Sequence, residues 1–194
     1  MNFLAHIFLS FDDPQITLGN FIADHIRANK YKHLPDRIQK GILLHREIDT
    51  YTDSHPITRQ SSKRLHKNYS HYSRIIVDIF YDHFLAKNWA TYSKIPLDTY
   101  VETFYDLLEE NYDILPLGTQ RIMPYMIADN WIYSYATIDG ISKVLDGMNR
   151  RTKNKSKMNY AVLDLETNYS DFENEFTAFF EELISFSKQK YNSL

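Results

Sequence analysis

The sequence predicts an all-α protein, a single compact bundle of about eight helices over residues 1–194. Three observations carry this. Apolar residues recur at helical spacing almost throughout the chain, no stretch alternates apolar and polar residues long enough for a sheet, and glycine and proline are scarce, at five and six. In chain order the helical spans are 2–10, 15–29, 36–52, 56–67, 71–91, 97–111, 117–135, 138–148 and 171–191. Pro35, Pro56, Pro96 and Pro116 each stand at or near a predicted helix start, where the missing N–H costs little. Thr137 reads as the N-cap of "IDGISKVLDGM", and Ser170 with Glu173 matches a capping box for the last helix. The segment 149–159 reads as the flexible one. Internal repeats and low-complexity tracts are absent from the sequence.

Composition narrows the chemistry. The chain has no cysteine, which excludes disulfides, thiolate zinc sites, iron–sulfur clusters and cysteine nucleophiles. The formal charge of −3 argues against a general nucleic-acid binder. The opening "MNFLAHIFLSFDDP" has no basic leader region and no small-residue cleavage site, and no apolar run reaches the roughly 20 residues that span a bilayer. A cytoplasmic protein with no membrane partner is expected. The charge is uneven, however: "NRRTKNKSK", 149–157, carries Arg150, Arg151, Lys153, Lys155 and Lys157 without an acid. It reads as a solvated loop or as a docking patch for an acidic partner, with Arg121 and Lys143 nearby candidates.

The informative residues are polar ones inside apolar helices. In "IIVDIFYDHFL" Ile75, Asp78, Asp82 and Leu85 share one stripe, while Ile76, Phe80 and Phe84 cover the other side, so the aspartates are expected to be at least partly buried. A buried carboxylate without a partner costs several kcal/mol or stays protonated. "GILLHREID" places His45 and Asp49 one turn apart, "GNFIADHI" brings Asp24, and "FLAHIFL" brings His6. Each alone is explained as a hydrogen-bonded core histidine or a salt-bridged aspartate, with Arg27, Arg46 or Arg74 as partners. Together, imidazole and carboxylate groups from four apolar helices suit a Mn, Fe, Mg or Zn ion. Other templates are missing: there is no H-E-x-x-H, no Glu-x-x-His, no glycine-rich phosphate loop and no G-x-S-x-G elbow.

The strings "MNFLAH", "GNFIAD" (19–24), "GILLHREID" (41–49), "TD" (52–53) and "DIFYDHFL" (78–85), with "VLDGMNRR" (144–151) further on, resemble the acyl-carrier-protein phosphodiesterase family over nearly the whole chain. That family is similar to HD-type metal-dependent phosphohydrolases. The sequence departs from the pattern that names them, because it has no His-Asp dipeptide and carries the reverse order at Asp24–His25 and Asp82–His83. The resemblance implies an HD-domain-like helical fold, a divalent metal, usually manganese, and hydrolysis of the phosphodiester that joins 4′-phosphopantetheine to a serine of holo acyl carrier protein, a reaction of lipid metabolism. It implies a small acidic carrier protein as partner, and site residues at His6, Asp24, His45, Asp49, Asp78, Asp82 and His83. Of these, Asp24, His45, Asp49 and Asp82 are expected to hold metal. Asp78 is expected to orient a histidine, and His6 or His83 to bond the nucleophile or protonate the leaving oxygen. Arg27 and Arg46 are candidates for phosphate contacts, Arg150 and Arg151 for carrier contacts, and Tyr31 and Tyr51 for flanking the pantetheine arm. Two alternatives stay open: the same metal chemistry on a nucleotide or another small phosphoester, and a non-catalytic helical binding protein whose inward His and Asp are paired core groups. The oligomeric state is not legible.

Overall fold

A computed structural model describes residues 2–194. Among the described residues there are twelve α-helices and four short 3-10 turns and no strand, as the all-α reading requires. The excess over about eight arises because two long predicted spans break, giving α6 and α9, and because α11 forms in a segment that no predicted span covered. α1 is Phe3–Phe8, α2 Pro14–Ile22, α3 Asp36–Ser54, α4 Pro56–Tyr69, α5 Ser73–Lys87 and α6 Trp89–Tyr92. α7 is Leu97–Glu110, α8 Leu117–Ala128, α9 Trp131–Ser134, α10 Ile138–Arg151, α11 Ala161–Thr167 and α12 Tyr169–Ser193. The span 15–29 ends early in a 3-10 turn at Ala23–His25. The span 71–91 splits at Asn88, and 117–135 splits before Asn130, which adopts the left-handed conformation that asparagine tolerates (φ 44).

The punctuation mostly acts as expected. Pro35, Pro96 and Pro116 sit at N-caps and Pro56 opens α4. Thr137 caps α10, accepting from the Gly140 N–H at 3.0 Å. The capping box at Ser170 does not form: α12 starts two residues earlier, with Asn168 at the N-cap, and Glu173 instead accepts from Lys87 Nζ and Asn88 Nδ2. The 149–159 segment, expected to be flexible, is the end of α10, a hydrogen-bonded turn and the start of the 3-10 turn Met158–Tyr160. Buried Asn149 holds Asn154 and Ser156 through its side chain, and Lys153, Asn154 and Lys157 take positive φ.

Two packing features position the site. α5 is the central helix, with Ile76, Ile79, Phe80, Phe84 and Leu85 fully buried; Ile75, expected on the inner stripe, is exposed. The crossing of α2 with α3 is made by Gly19 against Gly41. A Cβ on Gly41 would stand 2.3 Å from the Ile16 carbonyl oxygen and 2.9 Å from Gly19 Cα, and one on Gly19 would stand 2.1 Å from the Ile38 carbonyl oxygen. Only paired glycines let these backbones approach so closely.

Candidate metal centre

α1 is too short to be stable alone. Tertiary packing holds it, with Leu4, Ala5 and Ile7 fully buried at a gain of roughly 1.5–3 kcal/mol for each large side chain. So does Asp82 of α5, whose carboxylate accepts from the N–H groups of Leu4 (2.7 Å) and Ala5 (3.1 Å). These are orphan donors of a helix start, and the negative charge also suits the positive end of the helix. With α1 pinned there, His6 faces α3.

His6 meets His45 in a near-parallel stack, ring centroids 4.0 Å apart at 16°. Asp49, one turn beyond His45, bridges them: its Oδ1 is 3.2 Å from His6 Nε2 and its Oδ2 3.0 Å from His45 Nε2. Asp24, more exposed, brings an oxygen to 3.3 Å from His45 Nε2. The other nitrogen of His45 lies 2.8 Å from the backbone oxygen of Asn20, so Nδ1 carries the hydrogen and donates, leaving Nε2 turned into the group. The Asn20 side chain, fully buried, donates to the His6 carbonyl at 2.7 Å and to Ser10 Oγ at 3.1 Å. One asparagine thus ties α1, α2 and α3 together directly behind both imidazoles. Sequence reasoning did not single it out; a polar residue inside "TLGNFI" is the only trace it leaves.

The electrostatics follow from this geometry. Burial, helped by His45, pushes His6 down to about 4 against the pull of Asp49. Burial also acts against the charged form of His45, but the carboxylates of Asp24 and Asp49 outweigh it and push His45 up to about 9. For Asp49 burial is overcome by His45 and His6, which hold it well below the usual carboxylate range; Asp24 is lowered chiefly by His45.

Donor atoms of His6, His45 and Asp49 all lie within 4.8 Å of one another. Both ring nitrogens of His6 are buried and make no hydrogen bond; the 3.2 Å approach of Nε2 to Asp49 is close but lacks hydrogen-bond alignment. Two imidazoles and a carboxylate with lone pairs facing one point, one imidazole held from behind, fit a divalent first-row ion with positions left for water and substrate oxygens.

The structure does not bring every expected residue to this point. Asp82, expected as a metal ligand, directs both oxygens at the backbone of α1. Burial pushes its carboxyl up to about 7 against the pull of those two N–H groups. His83, expected as an acid or nucleophile partner, is buried elsewhere, with Nδ1 2.7 Å from the Tyr135 carbonyl and Nε2 2.8 Å from Tyr169 Oη. Its charged form is disfavoured by burial. Asp78 is half-buried on α5, raised by burial and within electrostatic reach of Asp49. Arg46 donates to the Ala28 carbonyl at 2.5 Å and lies 5.1 Å over Tyr31, which secures the loop before α3. Arg27 lines a separate cleft with His25, Lys30 and Leu117. Arg150 is exposed, Arg151 lies 5.9 Å over Trp131 and adds slightly to the burial that lowers His25, and Tyr51 stacks on Phe186 at 4.2 Å.

Asp82→Ala is therefore expected to destabilise the protein by about 1–3 kcal/mol, because two buried N–H groups lose their acceptor, while bound metal per chain stays the same. Denaturant unfolding and metal analysis of the variant decide; loss of metal from folded protein would restore Asp82 as a ligand.

The fold and this centre define a class: an all-helical protein with a two-histidine, one-carboxylate group of metal-ligand type. Comparison with known proteins gives the particular family. Residues 1–183 match the family profile described as acyl carrier protein phosphodiesterase. The chain is 31% identical over 191 residues to the acyl carrier protein phosphodiesterase of Photorhabdus laumondii, covering 98% of this chain and 96% of the relative. It is 31% identical over 189 residues to that of Pectobacterium atrosepticum, covering 97% and 98%, and 30% identical over 193 residues to that of Escherichia coli, covering 98% and 99%. No solved structure matches. The chain belongs to the acyl carrier protein phosphodiesterase family.

Proposed function

We propose that this protein is a metal-dependent phosphodiesterase that hydrolyses the 4′-phosphopantetheine–serine phosphodiester of holo acyl carrier protein. The products are apo carrier with a free seryl hydroxyl and 4′-phosphopantetheine. The observation that carries the reading is the convergence of His6 Nε2, His45 Nε2 and the Asp49 carboxylate, in a chain whose relatives bear that enzyme's name. A divalent ion, manganese first among Mn, Fe, Mg and Zn, neutralises phosphate charge and lowers the pKa of water when bound there.

The chain's own groups supply the rest. His6 presents a neutral nitrogen, His45 presents Nε2 once its proton is displaced, Asn20 fixes the ring of His45 by accepting its Nδ1–H, and Asp49 provides the negative charge that makes cation binding favourable. Asp24, at the exposed edge of the group, is placed to accept a hydrogen bond from the attacking water and orient it. Asp78 adds negative charge on the Asp49 side. Asp82 and His83 serve the fold, one capping α1 and the other tying α5 to Tyr135 and Tyr169.

Incubation of the Mn²⁺-loaded protein with holo acyl carrier protein, read by mass spectrometry, is expected to show loss of the phosphopantetheine arm. Intact carrier after incubation, with turnover of a nucleotide or other small phosphoester, would transfer the same chemistry to that substrate; no turnover of either would leave a binding protein.

A proton competes with the ion for His45 Nε2. Metal affinity is therefore expected to rise with pH, by about tenfold per unit at most, until pH approaches 9. Metal-free protein should behave oppositely. The folded-state value for His45 lies above its ordinary 6.5, so its stabilising charge is complete below 6.5 and lost as pH rises through 9. Thermal melts in chelator between pH 7 and 9 are expected to show a falling Tm, and titration calorimetry with Mn²⁺ a rising affinity. A flat or rising Tm contradicts the assignment of the proton to His45.

A further inference from the structure

α4 and the start of α5 enclose a cleft of about 780 Å³ that no role above uses. Its walls carry Arg59, Lys63, His66, Lys67, His71 and Arg74, all exposed. The carboxylates lining it are Asp53, which sits 3.7 Å from Arg74, and Asp78. Lys63 and Lys67 pair with no carboxylate among the described residues. Arg59, Lys63 and Lys67 recur at every fourth residue of one helix, a row of positive charge roughly 12 Å long at 1.5 Å rise per residue. A single phosphate needs one such group or two. A row at one-turn spacing matches a row of carboxylates at the same spacing, as on the face of an acidic helix.

The cleft and the metal centre share α3. Thr52 lines it from α3, three residues beyond Asp49; it is 4% exposed and its hydroxyl has no hydrogen-bond partner. Asp78, also in the lining, lies within electrostatic reach of Asp49. A protein seated on the outer row would therefore lie about one turn of α3 from the His6–His45–Asp49 group.

We propose that the α4–α5 cleft is the docking surface for an acidic helical face of the protein substrate, in place of the 149–157 run suggested by charge density in the sequence. This inference rests on the reading of a protein substrate made above. The basic run does not share the geometry: it closes on itself through Asn149 and Ser156.

The test uses the Mn²⁺-loaded full chain, holo acyl carrier protein, and the double variant Lys63→Glu/Lys67→Glu, with circular dichroism and metal content as fold controls. KM for the carrier is expected to rise about tenfold or more, with kcat at saturation changed less than about twofold, and the salt dependence of kcat/KM to flatten. Arg150→Glu/Arg151→Glu should change KM much less. A larger effect at 150/151, an unchanged KM in the lysine variant, or an equal fall in kcat overturns the proposal. Direct titration of carrier onto immobilised protein separates it from the activity: carrier that binds wild type and not the lysine variant, without being hydrolysed, upholds the docking surface and ends the phosphodiesterase reading. Carrier that does not bind wild type at all, or an oligonucleotide that takes the cleft in its place, overturns the docking proposal.

Discussion

Asp49→Ala is expected to lower kcat on holo acyl carrier protein by more than about a hundredfold, with helical content unchanged. Residues that merely support a metal ligand cost 10–100-fold on removal, so the group that bridges both imidazoles should cost at least the upper end of that range. Asp49 is the only carboxylate within 3.2 Å of both His6 and His45 among the described ion pairs, and it lowers the cost of placing a cation beside two buried rings. Its side chain is 42% exposed, so its loss empties no core. Metal analysis by mass spectrometry should find Mn²⁺ lost in parallel with activity. Activity retained at more than a tenth of wild type would mean that the chemistry does not pass through this group.

The second large effect is structural. Gly41→Ala places a Cβ 2.3 Å from the Ile16 carbonyl oxygen and 2.9 Å from Asn20 N, backbone atoms that cannot rotate away. Overpacking of this kind costs about 1–3 kcal/mol or more. The displacement also has a chemical consequence, because α2 carries the Asn20 oxygen that holds His45 Nδ1 at 2.8 Å. Gly41→Ala should therefore lower both the denaturation midpoint and the Mn²⁺ affinity. Gly147→Ala is the matched control: its Cβ meets only the Arg150 guanidinium at 3.8 Å, and in a helix interior alanine is favoured by up to roughly 1 kcal/mol. Equal behaviour of the two variants would remove the α2–α3 crossing from the account.

The helical class and most helix starts were legible, because periodicity and proline placement are local properties. The breaks at Asn88 and Asn130 were not, since apolar spacing continues across them and only packing chooses where the chain turns. At the centre, helix geometry put His45 and Asp49 on one face of α3, and the structure brings His6 and, from the turn after α2, Asp24 to them. The same reasoning turned Asp82 inward but had no means of naming its partner. A buried carboxylate is satisfied equally by a cation or by the open N–H groups of a helix start, and α1 supplies the latter. Asn20 stayed hidden for a related reason: its backbone oxygen is half of its contribution, and backbone contacts leave no signature in residue type. The glycines at 19 and 41 were visible as letters; their meaning required the two helices to be placed against each other.

Pulsed electron paramagnetic resonance of Mn²⁺ bound to protein labelled with ¹⁵N-histidine reads this centre most directly. Couplings from two imidazole nitrogens are predicted, reduced to one in His6→Ala and in His45→Ala and unaltered in His83→Ala. A single coupling in wild type, or a spectrum indifferent to replacement of His6 and His45, would contradict the placement of the ion between α1 and α3.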